Sequence, residues 1–217
     1  QILKVVNESP GGAGEKDIYN MPNFYVVATP IGNLGDISQR ALEVLREVDF
    51  ILAEDTRITR KLLNHFQIKT PFLSYYQHSK LAKVNFILEL LKDDKDLALV
   101  CDAGTPGISD PGNKLVKEIL ECLSDKVKVV PIPGPSALTA AASVSGFPMD
   151  KFLFLGFPPQ KKKRKQFFEE VGNSKYPVVF YESPFRILKT LEELKTFLQT
   201  TLKDPPPNFG GGPTGQE

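Results

Sequence analysis

Two kinds of residue cluster in this chain suggest a reacting site. The first is a set of glycine- and proline-containing loops, each following an apolar run: "TPIGNLGD" (Thr29 to Asp36), "DAGTPGISDPG" (Asp102 to Gly112) and "PIPGPSA" (Pro131 to Ala137). Glycine lets backbone pass close to a ligand, and proline fixes the loop's shape in advance. Open α/β sheets bind small molecules at such loops, outside the carboxyl ends of their strands. Three of them imply one composite pocket. The second cluster is "AEDTR", where Glu54, Asp55 and Arg57 also follow an apolar run. A carboxylate there can take a proton directly or through water. Arg57 can hold a phosphate or pair with Asp55, and Arg60 can join a charged network with Glu54.

Other chemistries find less support. "TPIGNLGD" is not G-x-G-x-x-G and no Walker lysine motif occurs, which disfavours dinucleotide and nucleoside-triphosphate sites. The histidines, His65 and His78, are not at ligand spacing with Cys101 and Cys122, so no metal is expected. Both cysteines read as small core residues, and the histidines as surface or capping residues. The run Lys161, Lys162, Lys163, Arg164, Lys165 is the strongest basic cluster, with Phe157, Phe167 and Phe168 nearby. A basic loop of this kind attracts a phosphate backbone, although both Phe167 and Phe168 read as core.

The elements that must position these residues alternate strand and helix from Phe24. "FYVVAT", "FILA", Phe72–Tyr75, "LALVC" and "VKVV" read as strands. Between them lie helical repeats such as Ile37, Ala41, Leu42, Leu45 and Val48, with Asp36 or Ser38 as cap. In the next helix Ile58, Leu62, Leu63 and Phe66 are expected to face inward. This βαβα order predicts a mostly parallel sheet flanked by helices. A small-residue helix begins near Ser136. "KFLFLGF" and "PVVFYES" follow as strands around a basic helix starting near Lys161, before a last helix over Phe185–Leu198. The expected organisation is a mobile arm (1–23), an N-terminal α/β domain (24–133), a smaller C-terminal α/β lobe (134–199) and a disordered tail (200–217).

Composition sets bounds on partners. The 217 residues carry 27 Lys+Arg against 26 Asp+Glu, a net charge of +1, so only local clustering argues for nucleic acid. Two cysteines make no disulfide framework, which suits a cytoplasmic setting. No apolar run reaches membrane-spanning length.

Taken together, "ATPIGNLGDISQRALEVL", "AEDTRITRKLL", "DAGTPGISDPG", "PIPGPSAL", "GFPP" and "FYESPFR" resemble the ribosomal RNA small subunit methyltransferase I family, of the tetrapyrrole-methylase type. The resemblance runs from Phe24 to about Leu198. It implies a two-lobed α/β fold, usually in a homodimer, with S-adenosylmethionine as methyl donor. The implied acceptor is a cytidine 2′-hydroxyl in small-subunit (16S, 30S-particle) ribosomal RNA. Motif matching assigns the donor to Pro30, Ile31, Gly32, Gly104, Thr105, Pro106, Gly107, Ile108, Ser136, Ala137, Leu155 and Gly156. Candidate proton acceptors are Glu54 and Asp55, then Glu182 and Asp36. Arg57, Arg60, the 161–165 run and Arg186 are candidate RNA contacts. The family continues past its last matching motif into further strands, whereas this chain turns to a Pro/Gly tail. A C-terminally shortened, incomplete second lobe is therefore expected. A small-molecule acceptor such as a tetrapyrrole, or a binding module without turnover, are the alternatives.

Overall fold

In the computed structural model, residues 21–76, 81–110 and 112–201 are described. The expected arm up to residue 20, His78 and the tail beyond 201 lie outside them. The chain divides into two compact units between Gly134 and Pro135.

The first unit is a five-stranded parallel sheet in the order β3-β2-β4-β1-β5. Its strands are β1 (Asn23–Val27), β2 (Phe50–Ala53), β3 (Phe72–Ser74), β4 (Leu97–Val100) and β5 (Lys128–Ile132). The register pairs Phe24 with Leu97, Leu52 with Leu99 and Val27 with Ile132. All four residues of the central β4 are buried, as a strand covered on both faces requires.

Four helices connect these strands: α1 (Gln39–Glu47), α2 (Thr56–His65), α3 (Leu81–Lys92) and α4 (Gly112–Leu123). The chain steps from β1 to β2 to β3 in one direction, then back through β4 to β5. Because such crossovers are right-handed, the two directions put their helices on opposite faces. The cores agree. Ala41 and Leu45 of α1 and Leu63 of α2 pack on Val27, Ile51, Ala98 and Val100. Ile87 and Leu91 of α3 and Leu115 and Ile119 of α4 pack on Phe24, Leu52, Leu97 and Leu99. Alternate residues of β4 thus serve opposite cores, as period-two side chains must.

Local signals set the helix starts. The Ser38 hydroxyl accepts the Ala41 N–H at 3.1 Å and caps α1, while Asp36 falls in the preceding 3-10 turn. The Asp55 carboxylate accepts the Arg57 N–H at 2.8 Å and caps α2.

The second unit contains α5 (Ala137–Val144), β6 (Leu153–Phe154), α6 (Arg164–Asn173), β7 (Val178–Val179) and α7 (Ile187–Thr201). Its two strands run parallel with only two residue pairs, so side chains must supply most of its order. Phe167 and Phe168 are buried, and the Phe167 ring meets Phe180 edge-on at 5.4 Å. Around them runs a polar network. Arg164 Nε donates to Glu193 at 2.6 Å and Nη2 donates to Thr190 Oγ1 at 2.7 Å. Thr190, fully buried, donates in turn to Glu182 at 2.7 Å.

Three expectations need correction. Ile58 is 42% exposed instead of inward, because α2 turns that side toward a cavity described below. Cys122 is exposed, because the buried stripe of α4 runs through Leu115, Ile119 and Leu123 and passes it by. The basic helix begins at Arg164, leaving Lys161 to Lys163 ahead of it.

Candidate functional site

The winding of the first unit predicts where a ligand belongs. The connection after β1 leaves toward one face of the sheet and that after β4 toward the other. Neighbouring strands whose exits diverge leave a crevice at their carboxyl ends. Here it is laced together by Thr29 and Gly104, whose backbones exchange hydrogen bonds at 2.9 and 3.0 Å. The buried Thr29 hydroxyl donates to the Cys101 carbonyl at 3.1 Å. Gly104 sits at φ +88°, where a side chain would be strained. The Asp110 carboxylate accepts the Gly107 and Gly112 N–H groups, both at 2.7 Å, and closes the loop on itself. At Gly112 a Cβ would lie 3.0 Å from both Gly107 N and Leu99, so only glycine fits beside this turn.

A cavity of about 380 Å³ opens here. Thr29, Pro30, Ile31 and Gly32 line one side, Cys101, Asp102 and Ala103 another, and Ile58, Lys61 and Leu62 of α2 a third. The third Gly/Pro loop packs beside β1: a Cβ on Gly134 would lie 3.0 Å from the Ala28 Cβ.

Carboxylates gather at the same strand ends. Asp102 Oδ1 accepts the Asp55 N–H at 3.0 Å, and the Glu54 carboxylate accepts the Asp102 N–H. The two strand ends therefore hold each other reciprocally. Burial, with Asp102 and Asp110 nearby, pushes the Glu54 pKa above its ordinary value. Burial, with the Asp55 charge, raises that of Asp102 as well. Asp55 goes the other way: its hydrogen bonds from Arg57 hold it down at about 2. Burial pushes the Cys101 thiol up to about 12, so it stays protonated and is no nucleophile.

The structure thus brings Pro30, Ile31, Gly32 and Gly104 together, with Thr105 to Ile108 continuing the loop. Glu54 and Asp55 stand beside that loop, although Asp102 is the carboxylate in the cavity wall. In the second unit, Ser136 precedes α5 without a side-chain cap bond, and Ala137 begins that helix. Leu155 N–H donates to Val179 at 3.0 Å, and the Gly156 carbonyl accepts from Tyr181 at 2.7 Å.

Three other candidates have structural commitments. The Glu182 side chain is 1% exposed and accepts from Ser183 N–H, Thr190 and Arg186. Burial raises its pKa, but those donors outweigh it and leave the group below the usual range. A sealed, depressed carboxylate is unsuited to taking a substrate proton. Arg186 pairs with it at 2.8 Å. Arg164 is spent on Glu193, Thr190 and the Pro159 carbonyl, and its guanidinium lies 5.1 Å from the Phe168 ring centre. Lys161, Lys162, Lys163 and Lys165 remain exposed.

Asp102 and Lys61 escaped sequence reasoning. Asp102 had a signal, an acidic residue directly after an apolar strand. Lys61 had none beyond its spacing from Arg57. Among the described residues, no group of three or more His, Cys, Asp or Glu is placed to hold a metal ion. No described helix is long and apolar enough to cross a membrane.

Residues 23–205 match the family described as tetrapyrrole (corrin/porphyrin) methylases. A ribosomal RNA small subunit methyltransferase I of Synechocystis sp. is 49% identical over 176 residues, 81% of this chain and 62% of its own length. That of Thermotoga maritima is 49% identical over 174 residues, 80% of this chain and 77% of its own. That of Haemophilus influenzae is 47% identical over 176 residues, covering 81% and 61%. The chain thus spans about three-fifths of two of these relatives. Among solved structures, the cobalamin biosynthetic enzyme cobalt precorrin-4 methyltransferase superposes with a TM-score of 0.57 at 15% identity, over 80% of this chain and 74% of that one. The methyltransferase CobJ gives 0.56 at 17%, over 80% and 76%. At such identity these two speak for the fold.

Proposed function

The chain belongs to the tetrapyrrole methylase family, in its ribosomal RNA small subunit methyltransferase I branch, and from this we propose that it methylates a cytidine 2′-hydroxyl in small-subunit ribosomal RNA. The proposed donor is S-adenosylmethionine, which supplies a methyl group already activated on a sulfonium. The observation that carries the reading is the crevice between β1 and β4, where Pro30, Ile31, Gly32 and Gly104 converge.

The residues present suit such a donor. The cavity volume is in the range of small-molecule sites. Asp102 in one wall, with Glu54 and Asp110 near, offers negative charge to a sulfonium, and Lys61 in another wall offers positive charge. The donor contacts proposed are those of the first unit: Pro30, Ile31, Gly32 and residues 104–108. The locked backbone of these loops fixes orientation before binding, which is what an in-line displacement needs. As the acceptor oxygen bonds to the methyl carbon and the carbon–sulfur bond breaks, the hydroxyl proton must leave. Glu54 is the proposed acceptor of that proton, because its raised pKa moves it toward the working pH. Asp55, held at about 2 by Arg57, is a much weaker base.

A cytoplasmic homodimer is the proposed working form. Phe185, 98% exposed, and Leu188, 75% exposed, support a covering partner. Sedimentation of the full chain tests this.

The activity test is transfer of labelled methyl from S-adenosylmethionine to small subunits lacking the modification. Label on a ribose 2′-oxygen of a cytidine is the expected result. Label on a tetrapyrrole alone, or donor binding without turnover, overturns the proposal.

A further inference from the structure

Helix α2 carries Arg57, Arg60 and Lys61 on its exposed side. Arg57 and Lys61 are one turn apart, about 6 Å along the axis, and Arg60 flanks them. Their commitments differ. Arg57 is clasped by Asp55, its own helix cap, at 2.6 Å. The Arg60 guanidinium lies 5.5 Å from the Phe72 ring centre and has no carboxylate partner among the described residues. Lys61 has no ion pair and no hydrogen bond among them, and it lines the cavity. Ile31, Leu34 and Ile58, each 36–42% exposed, line the same cavity.

An unpartnered ammonium beside an exposed apolar rim suits a nucleotide whose sugar and base rest on carbon while its phosphate meets the charge. Resting on the reading above, we infer that Lys61 binds a phosphodiester of the acceptor strand at the mouth of the cavity, with Arg60 as a second contact. A lone carboxylate ligand would engage one of these cations. A strand with a phosphate at every nucleotide can engage both, and the net charge of only +1 leaves attraction of RNA to such local clusters.

The test uses the full chain, small-subunit ribosomal RNA and, separately, S-adenosylmethionine. The variants are Lys61→Ala and Lys61→Arg. The expected result for Lys61→Ala is RNA affinity about 5-fold weaker at moderate salt, with a log–log salt slope shallower by roughly 0.7–0.9. Donor affinity falls less than RNA affinity, because the donor contacts proposed above are loop backbone and not Lys61, and Lys61→Arg restores the slope because it keeps the charge. Unchanged RNA affinity and slope in Lys61→Ala overturn the inference while leaving the methyltransferase reading intact. Donor affinity falling with RNA affinity unchanged also overturns it, placing the ammonium on the donor. Wild-type protein that binds no small-subunit RNA overturns both.

Discussion

The Asp102 carboxylate accepts the backbone N–H of Asp55 at 3.0 Å and so ties the exit of β4 to the exit of β2. The bond holds the acidic strand ends beside the cavity and leaves α2 starting from a fixed point. Asp102→Ala removes the acceptor and leaves a partly buried N–H unpaired, a cost of about 1 kcal/mol. The urea midpoint should fall by roughly 0.5 M. Asp102→Asn retains an oxygen at the same place and should hold the midpoint near that of the wild type. Equal midpoints for Asp102→Ala and the wild type would show that the tie carries no stability.

Glu54 stands at odds with its surroundings. Burial and three neighbouring carboxylates raise its folded pKa above the unfolded value, so the folded state holds a proton that the unfolded state gives up first. Stability from this group is present below the ordinary carboxylate range and is lost as pH rises through the raised value. Glu54→Gln removes that loss. Its thermal midpoint should exceed the wild type's at pH 7–8 and match it near pH 4. Activity should fall by about 10²- to 10⁴-fold, the usual worth of a positioned base. The rise of rate with pH expected of a wild type that uses this base should flatten. A variant of unchanged rate would remove Glu54 from the chemistry.

Much of this was legible in the sequence, and the failures share a cause. The apolar runs of β1, β2 and β4 and the cap Ser38 are local signals, read from neighbours in the chain, whereas the capping role of Asp55 emerged only with the structure. Convergence of "TPIG" with "AGTP" followed from strand order, because β1 and β4 leave the sheet toward opposite faces. Ile58 misled because helical period places it near Leu62 without saying whether that side meets core or cavity. Arg164, Glu182 and Arg186 read in the sequence as charges free for function, whereas the structure ties them to one another's neighbours. Their commitments depend partly on packing: Arg164 meets Glu193 from 29 positions away, which no local pattern announces.

The 161–165 run separates into two behaviours. Lys161, Lys162, Lys163 and Lys165 are exposed, while Arg164 is built into the network around Thr190. Replacing the four lysines by Ser should leave the thermal midpoint almost unchanged and weaken RNA binding in a salt-dependent way. Arg164→Ser should instead destabilise, by about 2 kcal/mol, because Glu193 keeps only the more distant Lys189 and Thr190 loses a donor. Calorimetric melting beside RNA titration distinguishes them. Loss of stability in the four-lysine variant would contradict this division.

The two cysteines should differ as reporters. Cys101 is buried at the end of β4, its Sγ 3.4 Å from the Gly104 carbonyl and its thiol held protonated by a pKa near 12. Only the thiolate is alkylated readily, and burial also bars the reagent. Cys122 is exposed on α4. Native protein at pH 8 with iodoacetamide should label at Cys122 alone, and peptide mass spectrometry after digestion reads the site. Cys101 should become reactive only with denaturant, at the concentration where the sheet of the first unit opens. Because Cys101 neighbours the Thr29–Gly104 lacing, Gly104→Ala, which strains a backbone at φ +88°, should bring that labelling to lower denaturant. Rapid native labelling of Cys101 would mean that the loop over the crevice opens without unfolding, contrary to the locked geometry on which the proposed donor orientation depends.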